Sequence, residues 1–291
     1  MTWSRGLGVA TGVLLRMGRA GLRGLRGENP QPTDPGVWRM RLSRPASPCH
    51  ARRVTPQRLV PGIIGFAPAT DAVYLRELHA AVPTAQLGTV NTLRSVTASL
   101  DTDAFFALDV AGRKAEAEAL ILAVARSLRA AGADFLVVTS NTGSIILEGA
   151  AEQVLPILDI FAATVDAAVD AGFARPGLLS TARTAASGRY HAAADRRGAV
   201  VSTPPRARIA GIDALIGREA IRGVQTPESL RVLQDAVDEL AAAGADSVIL
   251  GCTDLVLYGP DRIGHGVLPV VDSTHAHARA AARLALGGSA S

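Results

Sequence analysis

Leu128–Thr142 reads LRAAGADFLVVTSNT, and Leu240–Asp254 reads LAAAGADSVILGCTD. The two stretches share one plan. Each closes an amphipathic helix, stops it at a glycine, turns through Ala-Asp, runs a short apolar strand and ends on a polar tip. Leu128 lies twelve residues before Ser140, and Leu240 lies twelve before Cys252, so the repeat sets Ser140 and Cys252 at equivalent strand ends. A second pair keeps the register. Pro61–Thr70 (PGIIGFAPAT) resembles Pro176–Ala185 (PGLLSTARTA), each a strand running into a small-residue loop and then a helix. The offsets are 115 residues between the first pair of strands and 112 between the polar tips, as a duplicated unit requires.

Between these anchors, short apolar strands alternate with helical stretches at Ala115–Arg129, Leu155–Ala171, Pro227–Ala243 and Thr274–Leu286, which is the pattern of a parallel α/β protein. The spacing predicts two pseudo-symmetric lobes, each a parallel β-sheet flanked by helices. Residues 59–160 would form the first, completed by 267–288, and residues 161–266 the second. Ligands of parallel sheets sit off the carboxyl ends of the strands, so Ser140 and Cys252 would face a small molecule from opposite sides of an inter-lobe cleft.

Composition narrows the function classes. The chain has 291 residues, of which 48% are hydrophobic, enough to fill one large core or two smaller ones. Its net charge of +4 is concentrated in residues 1–58, where eleven Arg face only Glu28 and Asp34. That segment nets +9, which leaves 4 − 9 = −5 for the body and argues against a phosphate-backbone partner. Rich in Gly and Pro and without sustained periodicity, residues 1–58 read as a flexible extension, with the Arg-rich, acid-poor balance of a transit peptide as the other reading. No apolar run reaches the roughly 18 residues of a membrane span, because Arg16 interrupts the stretch from Leu7 to Leu15.

Two cysteines, Cys49 and Cys252, exclude a disulfide framework and supply too few thiolates for a structural zinc. The cytoplasm is the expected compartment. The single lysine, Lys114, opens a polar helix and is poorly placed for a pyridoxal Schiff base. Gly62 to Gly65 lacks the dinucleotide-binding glycine pattern, and Arg113 before Lys114 excludes a Walker loop. Neither His265 nor His275 has metal-ligand spacing with acidic partners, so no metal is expected.

Ser140-Asn-Thr-Gly-Ser144 and Gly251-Cys-Thr-Asp-Leu255 resemble the two motifs of the aspartate/glutamate racemase family, Cys-Asn-Thr and Gly-Cys-Thr-Glu. Gly62-Ile-Ile-Gly65, Leu179-Ser-Thr-Ala182 and Leu268-Pro-Val-Val-Asp-Ser-Thr274 match further family segments in order, over roughly Val60 to Leu286. The resemblance implies two pseudo-symmetric lobes, a homodimer, and a cofactor-independent racemase or epimerase of an amino acid, aspartate or glutamate. The second family cysteine falls on Cys252 and the first on Ser140.

Inverting a stereocentre through a planar carbanion needs a base on one face and an acid on the other, and a thiol can serve as either. On this reading Asn141, Thr142 and Thr253 hold the substrate carboxylate, and Thr181 binds substrate from the second lobe. Arg94 is the candidate for a side-chain carboxylate, with Arg206 or Arg208 in place of the family's second-lobe lysine. Arg183 is set near the pocket mouth without a role. His277 matches a position where related sequences carry histidine, whereas Ser144 stands where aspartate-type members carry it. Ser140 departs from the pattern, because a hydroxyl donates a proton but is a poor base. The same asymmetry leaves a cysteine-dependent lyase, decarboxylase or isomerase open, and the cleft alone would also suit a non-catalytic amino-acid binder.

Overall fold

The computed structural model describes residues 57, 59–82, 92–147 and 153–288. The expected extension, Gln57 apart, and Cys49 lie outside the described residues. The elements run β1 (Pro61–Gly65), α1 (Pro68–Ala80), β2 (Val96–Ser99), α2 (Thr102–Val110), α3 (Lys114–Ala130), β3 (Phe135–Val138), α4 (Asn141–Ile146), α5 (Ile160–Asp170), β4 (Pro176–Leu179), α6 (Ala182–Ala186), α7 (Arg189–Arg197), α8 (Arg206–Arg218), α9 (Pro227–Ala242), β5 (Ser247–Leu250), α10 (Pro260–Gly264), β6 (Val270–Asp272) and α11 (Ser273–Ala285).

Two parallel sheets carry the duplication. The first has the order β2-β1-β3, with Ile157 bridged to Leu136 beside β3. The second has the order β4-β5-β6, with Ser202 bridged to Gly177 beside β4. Ser202 thus stands where β2 stands, and Ile157 where β6 stands. Gly62 pairs with Leu136 and Gly177 with Val248, which reproduces the offsets of 115 and 112 residues strand by strand. The turns match as well. Asp134 accepts the Val60 N–H at 2.7 Å, and Asp246 accepts the Ala174 and Arg175 N–H groups at 2.8 Å. Gly132 (φ 92°) and Gly244 (φ 91°) end α3 and α9 in the left-handed conformation that glycine adopts without strain.

β1, β3, β4 and β5 are buried along their whole length, as strands covered on both faces must be. Ile64, Leu136 and Val138 pack on α3, while Ile63 and Val137 face α1 and the alanine stripe of α11. In the second lobe Leu179, Val248 and Leu250 pack on α8 and α9, while Leu178 and Ile249 face α5 and α7. α5 serves both lobes, giving Ala163 to the first core and Phe161 and Val165 to the second.

Two boundaries differ from expectation. Residues 267–288 do not all return to the first lobe: β6 pairs with β5 in the second sheet, and only α11 joins the first core. A three-residue strand too short to carry its own pattern hides that crossing. The helix expected from Leu155 begins at Ile160, because Pro156 disfavours helix in the residue before it and the Asp159 carboxylate caps the Phe161 and Ala162 N–H groups. No helix among the described residues is long and apolar enough to cross a membrane.

Candidate active site

β3 and β5 point their carboxyl ends at one another across the lobes. Ser140 (φ −148°, ψ 127°) and Cys252 (φ −135°, ψ 127°) leave them in nearly the same backbone conformation, each followed by a helical turn, α4 or the 3₁₀ turn Thr253–Tyr258. A cavity of about 890 Å³ opens between them. Ser140, Asn141, Thr142, Thr181, Cys252 and Thr253 all line it, so six of the seven expected site residues are brought together.

The two equivalent groups sit in different surroundings. Ser140 Oγ accepts the Gly143 N–H at 3.1 Å, and among the described residues its own hydrogen meets no acceptor. The Cys252 thiol faces Asp254 Oδ2 at 4.0 Å. Burial pushes this thiol well above its ordinary pKa, and the Asp254 and Asp213 carboxylates push the same way against the backbone N–H groups of Asp254 and Leu255. These causes together favour the neutral thiol at Cys252. Burial also raises the Asp254 carboxyl, opposed by the hydroxyl of Thr70, which donates to Oδ1 at 2.6 Å. Asp71 is raised by burial too, although Thr139 Oγ1 donates to it at 2.7 Å.

Cross-lobe bonds hold the cleft floor. Besides Thr70 to Asp254, Thr253 Oγ1 donates to the Thr139 carbonyl at 3.1 Å, and the Tyr190 hydroxyl donates to Asn141 Oδ1 at 2.9 Å. The Thr253 hydroxyl hydrogen is thus engaged in joining the lobes. Asn141 lines the cavity, and its Nδ2 is a buried amide donor with no partner among the described residues. Thr181 Oγ1 accepts the Thr184 N–H at 3.2 Å and so caps α6.

Arg94 is not brought to the site. It lies two residues before β2, its main chain is tied to the Gln57 side chain by two 2.8 Å bonds, and its guanidinium lies against Gly132 at the strands' amino ends. Arg206 and Arg208 do not line the cavity either; Arg208 is held by Glu239, its Nε donating to Oε1 at 3.1 Å. The cationic side chains that do line it are Arg183, paired with Asp109 of the other lobe at 2.8 Å, and Arg222. Arg183 directly follows the second-lobe strand and loop, a positional signal; Arg222 sits on a short turn whose approach to the cleft is purely tertiary.

The histidines serve elsewhere. His277 is buried in the core. Its Nε2 donates to the Leu158 carbonyl at 3.0 Å, so Nδ1 accepts the Tyr74 hydroxyl at 2.9 Å, and burial lowers its pKa to about 4. His275 Nε2 faces Glu77 at 3.7 Å, and His265 pairs with Asp238 at 3.1 Å.

This architecture has close counterparts. A candidate Asp/Glu racemase from Yersinia pestis is 29% identical, with a TM-score of 0.69 over 79% of this chain and 100% of that one. An aspartate racemase homologue from Pyrococcus horikoshii OT3 shares the fold at 21% identity, with a TM-score of 0.62 over 78% of this chain and 99% of that one. The Picrophilus torridus aspartate racemase shares it at 18% identity, with a TM-score of 0.60 over 79% and 94%. The family model described as Asp/Glu/hydantoin racemase matches residues 63–281, a span that takes in both strand ends and every cavity residue named above. On the strength of that match the chain belongs to the Asp/Glu/hydantoin racemase family.

Proposed function

We propose that the cleft racemises or epimerises an amino acid by moving the Cα proton between its two walls, with Cys252 as the base on one face and Ser140 as the donor on the other. The observation that carries this reading is the pair of equivalent strand ends, which set a thiol and a hydroxyl on one cavity.

The substrate carboxylate takes the open Asn141 amide, and its α-ammonium enters a cavity whose aspartates favour a cation. A positive charge beside Cys252 offsets the acids that hold the thiol proton. That proton passes to Asp254 Oδ2, and the thiolate takes the Cα proton. Ser140 donates its hydroxyl hydrogen to the opposite face of the carbanion, the Gly143 N–H supports the alkoxide left behind, and water carries the proton taken up by Asp254 back to that alkoxide, which returns both walls to their starting state. Because enantiomers have equal free energy, kcat/KM must be the same in both directions, so a weak serine partner slows both. Exchange of the Cα proton at the Cys252 face alone stays fast.

Ser140 also favours one second reading, in which Cys252 protonates an intermediate from a single face, as in a lyase or decarboxylase. Proton NMR in D₂O separates the two. Deuterium entering Cα with inversion, lost in Cys252→Ala, supports racemisation. Exchange without inversion leaves the one-sided chemistry, and no exchange with any amino acid overturns the proposal.

A further inference from the structure

Resting on the racemase reading, the cavity's charge and walls bear on what side chain the substrate carries. Six aspartates line it, Asp71, Asp101, Asp103, Asp109, Asp213 and Asp254, against Arg183 and Arg222. Arg183 is already neutralised by Asp109 across the cleft. Asp71 and Asp254 are buried, at 9% and 7% exposure. Even if both are protonated, four further acids face two arginines. Asp213 retains an open oxygen beyond the one that accepts the Ala182 N–H at 3.0 Å, and Asp103, exposed in the first turn of α2, has no partner among the described residues.

An independent feature orients the ligand. Asn141 is 4% exposed, lines the cavity, and presents Nδ2 without an acceptor. That donor calls for a carboxylate on the Ser140 side. With the α-carboxylate placed there, the remaining walls are the apolar Phe106, Val110, Ile216 and Ile221 and the acids of α2. A cavity of about 890 Å³ is far roomier than a four- or five-carbon dicarboxylate requires. A second substrate carboxylate would find its nearest cations either paired or outnumbered.

We propose that this cleft prefers an amino acid with a long cationic side chain, of the lysine, ornithine or arginine type, over aspartate and glutamate. The methylenes lie along the apolar wall and the terminal cation among the α2 acids, while Asp213 attracts the α-ammonium.

Calorimetric titration of Cys252→Ala, which binds without turning over, tests the preference with both enantiomers of lysine, ornithine, glutamate and norleucine. The expected result is lysine or ornithine binding about tenfold or more tighter than glutamate, a gap that narrows with added salt. Asp103→Asn should weaken lysine by roughly three- to tenfold and leave norleucine unchanged. Glutamate binding as tightly as lysine, or no binding of any cationic amino acid, overturns the preference. Cα exchange by the wild-type protein is scored in parallel. Lysine that binds best while no amino acid exchanges removes the racemase reading and leaves the charge preference standing, whereas glutamate that binds best and exchanges does the reverse.

Discussion

Replacing Asp254 by asparagine should make Cys252 easier to ionise and yet leave the protein a poorer catalyst. The carboxylate faces the thiol at 4.0 Å and is the largest charge cause, after burial, of the thiol's raised pKa. At an effective dielectric of about 20, a unit charge at about 4 Å contributes about 4 kcal/mol. At about 1.4 kcal/mol per pKa unit, that is about three units. Asp254 is itself held toward its neutral form by burial, so the expected fall in the Cys252 pKa is roughly one to three units. Asparagine keeps an oxygen for the Thr70 hydroxyl, so the floor of the cleft stays joined.

The assay is the rate of iodoacetamide alkylation against pH, read by mass spectrometry in a Cys49→Ser background so that only Cys252 reports. The midpoint should move to lower pH while Cα exchange slows, because an amide cannot take the thiol's proton. A midpoint that stays put or rises would refute the electrostatic account of the thiol. Exchange as fast as wild type at neutral pH would show instead that Asp254 is no proton acceptor, whatever it does to the pKa.

Other expectations follow from the same geometry. Ser140→Ala removes the α4 cap and should cost about 1 kcal/mol of stability, and it should abolish inversion while exchange persists; Ser140→Cys should raise the ratio of inversion to exchange, and a ratio no higher than wild type counts against Ser140 as the donor. Gly251→Ala would place a Cβ 2.5 Å from Leu178 Cδ1 and 2.9 Å from Tyr190 Cε2. It should cost about 1–3 kcal/mol in chemical denaturation, so an unchanged midpoint would contradict the packing under Cys252. Burial lowers the His277 pKa to about 4. The folded state therefore binds this proton less readily than the unfolded one, and the stability involved is complete above about pH 6.5 and lost as pH falls toward 4. Asp272 works in the opposite sense, since burial raises its carboxyl. His277→Gln should accordingly make melting temperature rise relative to wild type across that acid window, and parallel profiles would show that His277 does not titrate there.

The strands and the duplication were legible because a strand covered on both faces must be apolar throughout, and because two glycine-stopped helices repeated the same turn. Ile63, Val137, Leu178 and Ile249 fall where such a pattern puts them. The start of α5 is hidden in the sequence because apolar residues continue through Leu155 to Leu158, and only Pro156 and Asp159 mark the break. The site's uncharged residues were legible for the same reason as the strands: they follow β3, β4 and β5 directly. Of its charges, only Arg183 and Asp254, which follow β4 and β5, could be placed that way. Arg94 sits two residues before β2 instead of after a strand, and Asp109, Asp213 and Arg222 reach the cleft from three separate elements whose approach depends on how the lobes pack.

On the racemase reading, the two halves divide the chemistry between them, and the difference follows the needs of the two reacting groups. Asp254 lies 112 residues after Thr142, the repeat offset, so the thiol has a carboxylate two residues on where the hydroxyl has a threonine. A thiol that begins neutral must hand its proton to something before it can act as a base. A serine that begins with its proton in place needs no such acceptor in order to donate it, and a carboxylate beside it would oppose the alkoxide it leaves. On this account the base side is Cys252 with Asp254 and the donor side is Ser140 alone. Adding the thiol without its acceptor should then recover only part of a symmetric enzyme. Ser140→Cys/Thr142→Asp should invert faster than Ser140→Cys in the D₂O assay, by up to the roughly 10²–10⁴ that a placed acid–base group contributes. A double variant slower than Ser140→Cys would mean that the carboxylate matters for its charge and not for accepting a proton.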